Sequence, residues 1–251
     1  MSRMSFGMVL ATLLIVSGSA FADDTFYFAS PGSNVWDGVY VNPYTANETS
    51  PQTINGLPIY CDDWNTEFSG NPTWNATVLA LTPGNVQYFK YGTVTSDAVS
   101  VLSGVLVNSP FSTTAYDLYL GAAYLDQLMQ ETSDATTQQE LSAAEWLLFV
   151  TSANAGGPTS GLIGAINSGS AFESAVAGYL EDAQTDYSPT DANGWDVITP
   201  VGNDNYGGPM QEFLTPDSGQ LSQVPEPSAV ILLGTIAGLL GLTKLRRRRQ
   251  A

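Results

Sequence analysis

The chain has no histidine, one cysteine and, away from its two ends, almost no positive charge. Each shortage excludes some chemistry. Without histidine there is no Ser-His-Asp triad, no Cys-His dyad and no usual zinc site. Between Asp23 and Val224 stand 23 acidic residues and a single basic one, Lys90, for a formal charge of −22. That stretch has no arginine to clamp an anion, and one lysine gives little footing for a Schiff-base or phosphate site. Such a body repels phosphate backbones, which excludes nucleic acid as a partner. No P-loop and no GxGxxG is present. A glycosidase working with carboxylates alone is the one enzyme class the composition leaves open.

What is present is enough for one well-filled core: 251 residues, 43% of them hydrophobic, which argues against disorder despite the charge. The first 22 residues read as a signal peptide. Arg3 is a short positive region, Met8 to Val16 an apolar run, and Ala20-Phe21-Ala22 the small-x-small pattern cut by signal peptidase. Cleavage after Ala22 leaves Asp23 as the first mature residue, and the body is expected to be exported.

Five of the seven basic residues fall in the last eight positions. Ahead of them, Pro225-Glu226-Pro227 holds off any helix until Ser228. Ala229 to Leu242 carries no charge, and a helix of that length spans about 21 Å, against a hydrocarbon core of roughly 30 Å. Extending from Ser228 to Leu245, with Lys244 snorkelling, brings it to about 27 Å. The segment 228–251 therefore reads as a short transmembrane helix with a cytoplasmic basic tail, Arg246, Arg247, Arg248 and Arg249 following the positive-inside rule. Residues 218–227 form a linker, and 23–217 the exported domain.

Val-Pro-Glu-Pro, a short apolar helix and a terminal arginine cluster together resemble the PEP-CTERM sorting signal of exported bacterial proteins. The resemblance implies a precursor held in the inner membrane and recognised by an exosortase, a membrane-embedded protease, near Pro-Glu-Pro. It further implies delivery to the periplasm, the cell surface or the extracellular matrix. An association with exopolysaccharide or biofilm, without enzymatic activity, is the expectation for the body.

Within the body, TFYFAS and NVWDGVYVNPY read as strands broken at Pro31-Gly32 and Pro43. Asn55-Gly56 signals a hairpin before a strand ending near Cys61, and Pro83-Gly84 signals a second hairpin. Helical periodicity predicts three helices, over residues 113–131, 137–151 and 171–183, with ANAGGPTSG as a loop. WDVITPV and QEFLTP return to strand. The fold class is α+β: one domain, mainly antiparallel strands at both ends of the chain, packed with about three central helices.

NGLPIYCDDWNTEF, the helical centre and QEFLTP before the sorting signal are similar to uncharacterised PEP-CTERM exported proteins. Through them the chain resembles the thioester domains of surface adhesins, in which a Cys cross-links to a Gln four residues before a helical Trp. Here Ser142 stands in that place before Trp146, so the partner Gln is missing, with Gln138 and Gln139 about one turn earlier. Cys61 therefore reads either as a thioester-like position or as a small buried residue at a strand end, and a free thiol is the expectation. No intramolecular disulfide can form.

Asp62 and Asp63 form an acidic knot beside Cys61, and Asp191, Asp196 and the loop Asn203 to Asn205 are oxygen-rich. These are Ca²⁺ candidates without EF-hand spacing, since Pro189 and Pro200 would fall at the first and twelfth positions. With so few cations, most carboxylates are expected to be exposed or counter-ion bound and not salt-bridged. Trp36, Trp64, Trp74 and Trp195 offer rings for stacking on sugars, which keeps a carbohydrate-binding module open, or for filling the core.

Overall fold

A computed structural model describes residues 23–64, 66, 70–93, 114–149, 158–166, 170–188, 194–216 and 221. Both ends of the chain, with the signal-peptide and sorting-signal residues Ala20, Ala22, Pro225 to Pro227 and Arg246 to Arg249, lie outside the described residues, as does Asp191. Among the described residues no helix is long and apolar enough to cross a membrane.

The expected α+β class holds, with strands at both ends of the chain and helices between them. The strands are β1 (Asp24–Ser30), β2 (Val35–Trp36), β3 (Val39–Tyr40), β4 (Tyr44–Ser50), β5 (Ile54–Cys61), β6 (Thr73–Ala80), β7 (Trp195–Val201) and β8 (Phe213–Pro216). Six of them close an antiparallel barrel in the order β1-β4-β5-β8-β7-β6, and β2-β3 is a separate hairpin. Closure leaves the barrel without an open edge. Alternation along the strands turns Phe26, Phe28, Ala46, Ile59, Trp74, Val78 and Phe213 into one core. Leu221 packs there too.

Two turn signals behave differently from their sequence reading. Asn55-Gly56 is no hairpin turn: it lies inside β5, where Gly56 adopts φ 74° and its N–H donates to Asn47 Oδ1 at 2.9 Å. The pairing of β4 with β5 shifts register between Ala46 and Glu48, so the glycine serves a bulge. After β6, the Pro83-Gly84 stretch leads to a 3₁₀ turn at Val86–Tyr88 and not to a second strand.

The helices are α1 (Ala115–Glu131), α2 (Ala135–Leu148), α3 (Pro158–Ile166) and α4 (Ser170–Thr185). Side chains of Thr114 and Asp134 accept from the backbone N–H of Asp117 and Thr137, capping α1 and α2. A fourth helix, α3, occupies the end of the segment read as a loop. Proline at its first position lacks only a donor that would have no partner there, while its glycines hid the helix from propensity. Leu118, Ala122, Leu125, Leu141, Trp146, Val176 and Leu180 are buried where α1, α2 and α4 pack together.

Candidate functional site

The short pairing of β5 with β8 sets Cys61 opposite Phe213 and Tyr60 opposite Leu214. It brings CDD and QEFL, far apart in sequence, into one place. Gln211 Nε2 donates to the carbonyl of Asp63 at 2.9 Å and also to that of Thr66. Asp62 lies within hydrogen-bond reach of Glu212. Among the described residues neither oxygen of Asp62 has a donor to accept from, so this contact between two buried carboxyl groups requires a shared proton. Glu212 accepts from Thr199 Oγ1 at 2.5 Å, from Lys90 N at 2.8 Å and from the Tyr119 hydroxyl, so the negative charge rests there. Burial holds the Asp62 carboxyl well above the usual range, and the neighbouring charges of Glu212 and Asp63 push it further.

Asp63 meets the one lysine of the body. Lys90 Nζ forms an ion pair with Asp63 Oδ2 and donates to Thr66 Oγ1 at 2.8 Å, and the Tyr91 hydroxyl donates to Asp63 Oδ1 at 2.6 Å. The turn after Lys90 is tight: a Cβ on Gly92 would stand 2.0 Å from the carbonyl oxygen of Val86. The rings of Phe89, Tyr91, Tyr119 and Phe149, each in contact at 5.0 Å, wall the site.

On the other side of Cys61, Asn42 braces the chain. Its Oδ1 accepts from Cys61 N at 2.8 Å, and its Nδ2 donates to Cys61 O at 3.2 Å and to Glu145 Oε2 at 2.6 Å. Trp146 Nε1 donates to the same Cys61 carbonyl at 2.8 Å. Glu145 in turn contacts Asp126, neither of whose oxygens has another donor among the described residues, so these two also share a proton. Burial pushes both carboxyls well up.

Ser142 reaches this cluster as the position four before Trp146. Its Oγ accepts from Asn42 N at 3.2 Å and donates to Met129 Sδ at 3.6 Å. Gln138 and Gln139 point elsewhere: both bond to Asn34, and Gln139 also to the carbonyl of Val35. The Cys61 thiol is free and buried, trading hydrogen bonds with the backbone of Asp63 at 3.4 Å. Burial first, then Asp63 and Asp62, push it well up.

Beside the carboxylates expected to be exposed or counter-ion bound stands a buried set, of which one, Asp63, forms an ion pair among the described residues. Asp24, Glu48, Asp62, Asp63, Asp126, Glu145, Asp196 and Glu212 are all at most 1% exposed. Protons and neutral donors settle most of this charge where cations are lacking. Among the described residues no group of three or more such side chains is placed to hold a metal ion. Asp204 has its Oδ1 taken by the N–H groups of Tyr206 and Gly208, which makes the Asn203 to Asn205 stretch a self-capped turn.

The tryptophans divide. Trp74 stacks on Phe26 inside the barrel, and Trp195 is buried edge-on to Tyr60, so neither presents a face to a ligand. Trp36 stacks on Phe172 at 4.9 Å, pinning the β2-β3 hairpin to α4, and Trp64 leans on Trp146. An open pocket of about 480 Å³ lies elsewhere, lined by Phe28, Tyr40, Tyr44, Asn71 and Gln211 among others.

Sequence reading missed Lys90, Tyr91, Tyr119, Asn42, Asp126, Glu145 and Glu212 as parts of one region. A signal existed for two of them: Asp126 and Glu145 interrupt the apolar faces of α1 and α2, where a carboxylate needs a partner. Against family models, curated proteins and solved structures, the chain finds no match.

Proposed function

We propose that the protein is an exported, exosortase-sorted component of the cell surface or extracellular matrix, linked to exopolysaccharide or biofilm, whose body is structural and not enzymatic. Signal peptidase and the exosortase are its processing partners, and the inner membrane holds its precursor. The observation that carries the export half is the order of signal peptide, acidic body, Pro225-Glu226-Pro227, apolar segment and Arg246 to Arg249. The non-enzymatic half is supported by where the carboxyl pairs sit. Asp62 with Glu212, and Asp126 with Glu145, are at 0% exposure, and a glycosidase must present its two carboxyls to a sugar in a cleft. Intact-mass measurement of the protein from its native cells tests the sorting claim: the expected chain ends near Pro227. A mass retaining Arg246 to Arg249 makes the tail a plain anchor and ends the claim. A strain without its exosortase should accumulate the longer, membrane-held form.

One observation favours a second reading, a carbohydrate-binding module. The open pocket combines the rings of Phe28, Tyr44 and Tyr40, the last 48% exposed, with the amides of Asn71 and Gln211. Flat rings plus neutral amides suit an uncharged sugar, and the acidic body disfavours an anionic one. Tyr40→Ala should abolish binding to a neutral exopolysaccharide while the fold persists. Binding that survives Tyr40→Ala rules this pocket out.

A further inference from the structure

The geometry points to an intramolecular isopeptide bond between Lys90 and Asp63, formed by the folded domain without any added enzyme. The body has one lysine, and its amine is spent on one buried carboxylate. Asp63 is fully buried, and its two oxygens are differentiated: Oδ2 faces the amine, while Oδ1 accepts from the Tyr91 hydroxyl at 2.6 Å. Thr66 Oγ1 takes a second Lys90 N–H at 2.8 Å, which fixes the nitrogen beside the carboxyl carbon. Phe89, Tyr119 and Phe149 close the inner side.

The step balances with nothing brought in. The lysine nitrogen, as free amine, attacks Cγ of Asp63, and Tyr91 supports the negative charge that gathers on Oδ1. Two of the three ammonium protons end on Oδ2, the C–Oδ2 bond breaks, and one water leaves; the third proton stays on the amide nitrogen. Condensation in bulk water is opposed by the solvent. Here the two groups are held in contact, which supplies the effective concentration, and the amide replaces two charges at a buried position with a neutral group. The protons need a carrier while the amine is free. Asp62, adjoining Asp63 and fully buried with no donor to either oxygen among the described residues, shares one with Glu212, so the two form a relay beside the pair. Lys90 keeps 33% exposure along its side chain, leaving the released water a way out.

The full chain, purified and denatured, should weigh one water less than its processed sequence. A digest should contain a branched peptide joining the Asp63 and Lys90 segments. Hydroxylamine should leave the bond intact, whereas a Cys61 thioester would be cleaved and would have lost ammonia, not water. Lys90→Arg keeps the charge and the fold and should return the chain to sequence mass. Asp62→Asn should slow the appearance of the lighter species after folding, and an unchanged rate removes the relay. A folded wild-type chain at full sequence mass, or a water loss that persists in Lys90→Arg, overturns the bond.

Discussion

On one side of the Cys61–Asp63 segment, Asp63 meets an ammonium and a phenol, and Glu212 collects three donors from Tyr119, Thr199 and Lys90. On the other side, among the described residues, Glu145 receives one amide donor from Asn42 and Asp126 receives none. The carboxyl groups on both sides are fully buried. The first resolves its charge with donors, a cation and the proton that Asp62 shares with Glu212, while the second has one amide donor and otherwise depends on the proton shared by Glu145 and Asp126. A side rich in donors tolerates ionisation, whereas a proton-sharing side holds only while that proton stays. The two sides should therefore fail under different insults.

The largest effect is expected on the proton-sharing side. Trp146 fills the space between α2 and the end of β5 and donates to the Cys61 carbonyl. Trp146→Ala should cost about 3–5 kcal/mol, measured by denaturant unfolding, because it opens a cavity and leaves the buried Cys61 carbonyl with Asn42 as its remaining donor. A loss under about 1 kcal/mol would mean that Asn42 alone braces the strand end.

Titration separates the sides next. Asp126, Glu145 and Asp62 are held well above the usual carboxylate range by burial, and Asp24 is raised to about 7 by burial and by Glu48. Between the ordinary values of 3.8 and 4.5 and these raised ones, the folded chain holds more protons than the unfolded chain. Stability must then fall as pH rises through that window, and the penalty vanishes below the unfolded values, where both states are protonated. Tm should be higher near about pH 5 than near about pH 8. Asp126→Asn should flatten that slope. A Tm that climbs steadily toward neutral pH would show that these pairs do not hold protons in the fold.

A smaller effect is expected on the donor-rich side. Tyr119→Phe removes the phenol that donates to Glu212 and accepts from Tyr91 N, at about 2 kcal/mol. Thr199 and the Lys90 N–H still serve Glu212, so the pH slope should change little. A slope that steepens would show that Tyr119 alone keeps Glu212 ionised.

Much of the fold was legible because alternation and helical period are local properties. TFYFAS, WDVITPV, QEFLTP and the stripe through Val176, Leu180 and Ala183 read directly as elements. Closure of the barrel was not legible, since it depends on the register of Cys61 against Phe213 across a long sequence separation. Asn55-Gly56 misled because the same dipeptide chemistry suits a tight turn and a bulge. The site was half legible. Cys61, Asp62 and Asp63 stood out as a motif, but Lys90, Glu212 and, through Asn42, Glu145 come from three other stretches of the chain and share no spacing. Charge balance also misled: it counts cations, and this interior settles most of its acids with protons, phenols and amides.

The smallest effect is expected at Cys61, where the two sides meet. Its thiol faces the barrel core, with Sγ engaged only by the backbone of Asp63 among the described residues. We predict a free thiol, because Ser142 occupies the place before Trp146 and spends its hydroxyl on Asn42 and Met129. A buried thiol whose ionisation is opposed by Asp62 and Asp63 is a poor nucleophile. Alkylating reagent should leave the folded chain unmodified and add once after unfolding. Cys61→Ala should cost about 1–2 kcal/mol, the value of a small buried side chain, and leave the pH slope unchanged. Methylamine incorporation into the folded protein, or loss of one ammonia from the intact mass, would contradict the free thiol and make Cys61 an electrophile held between the two sides.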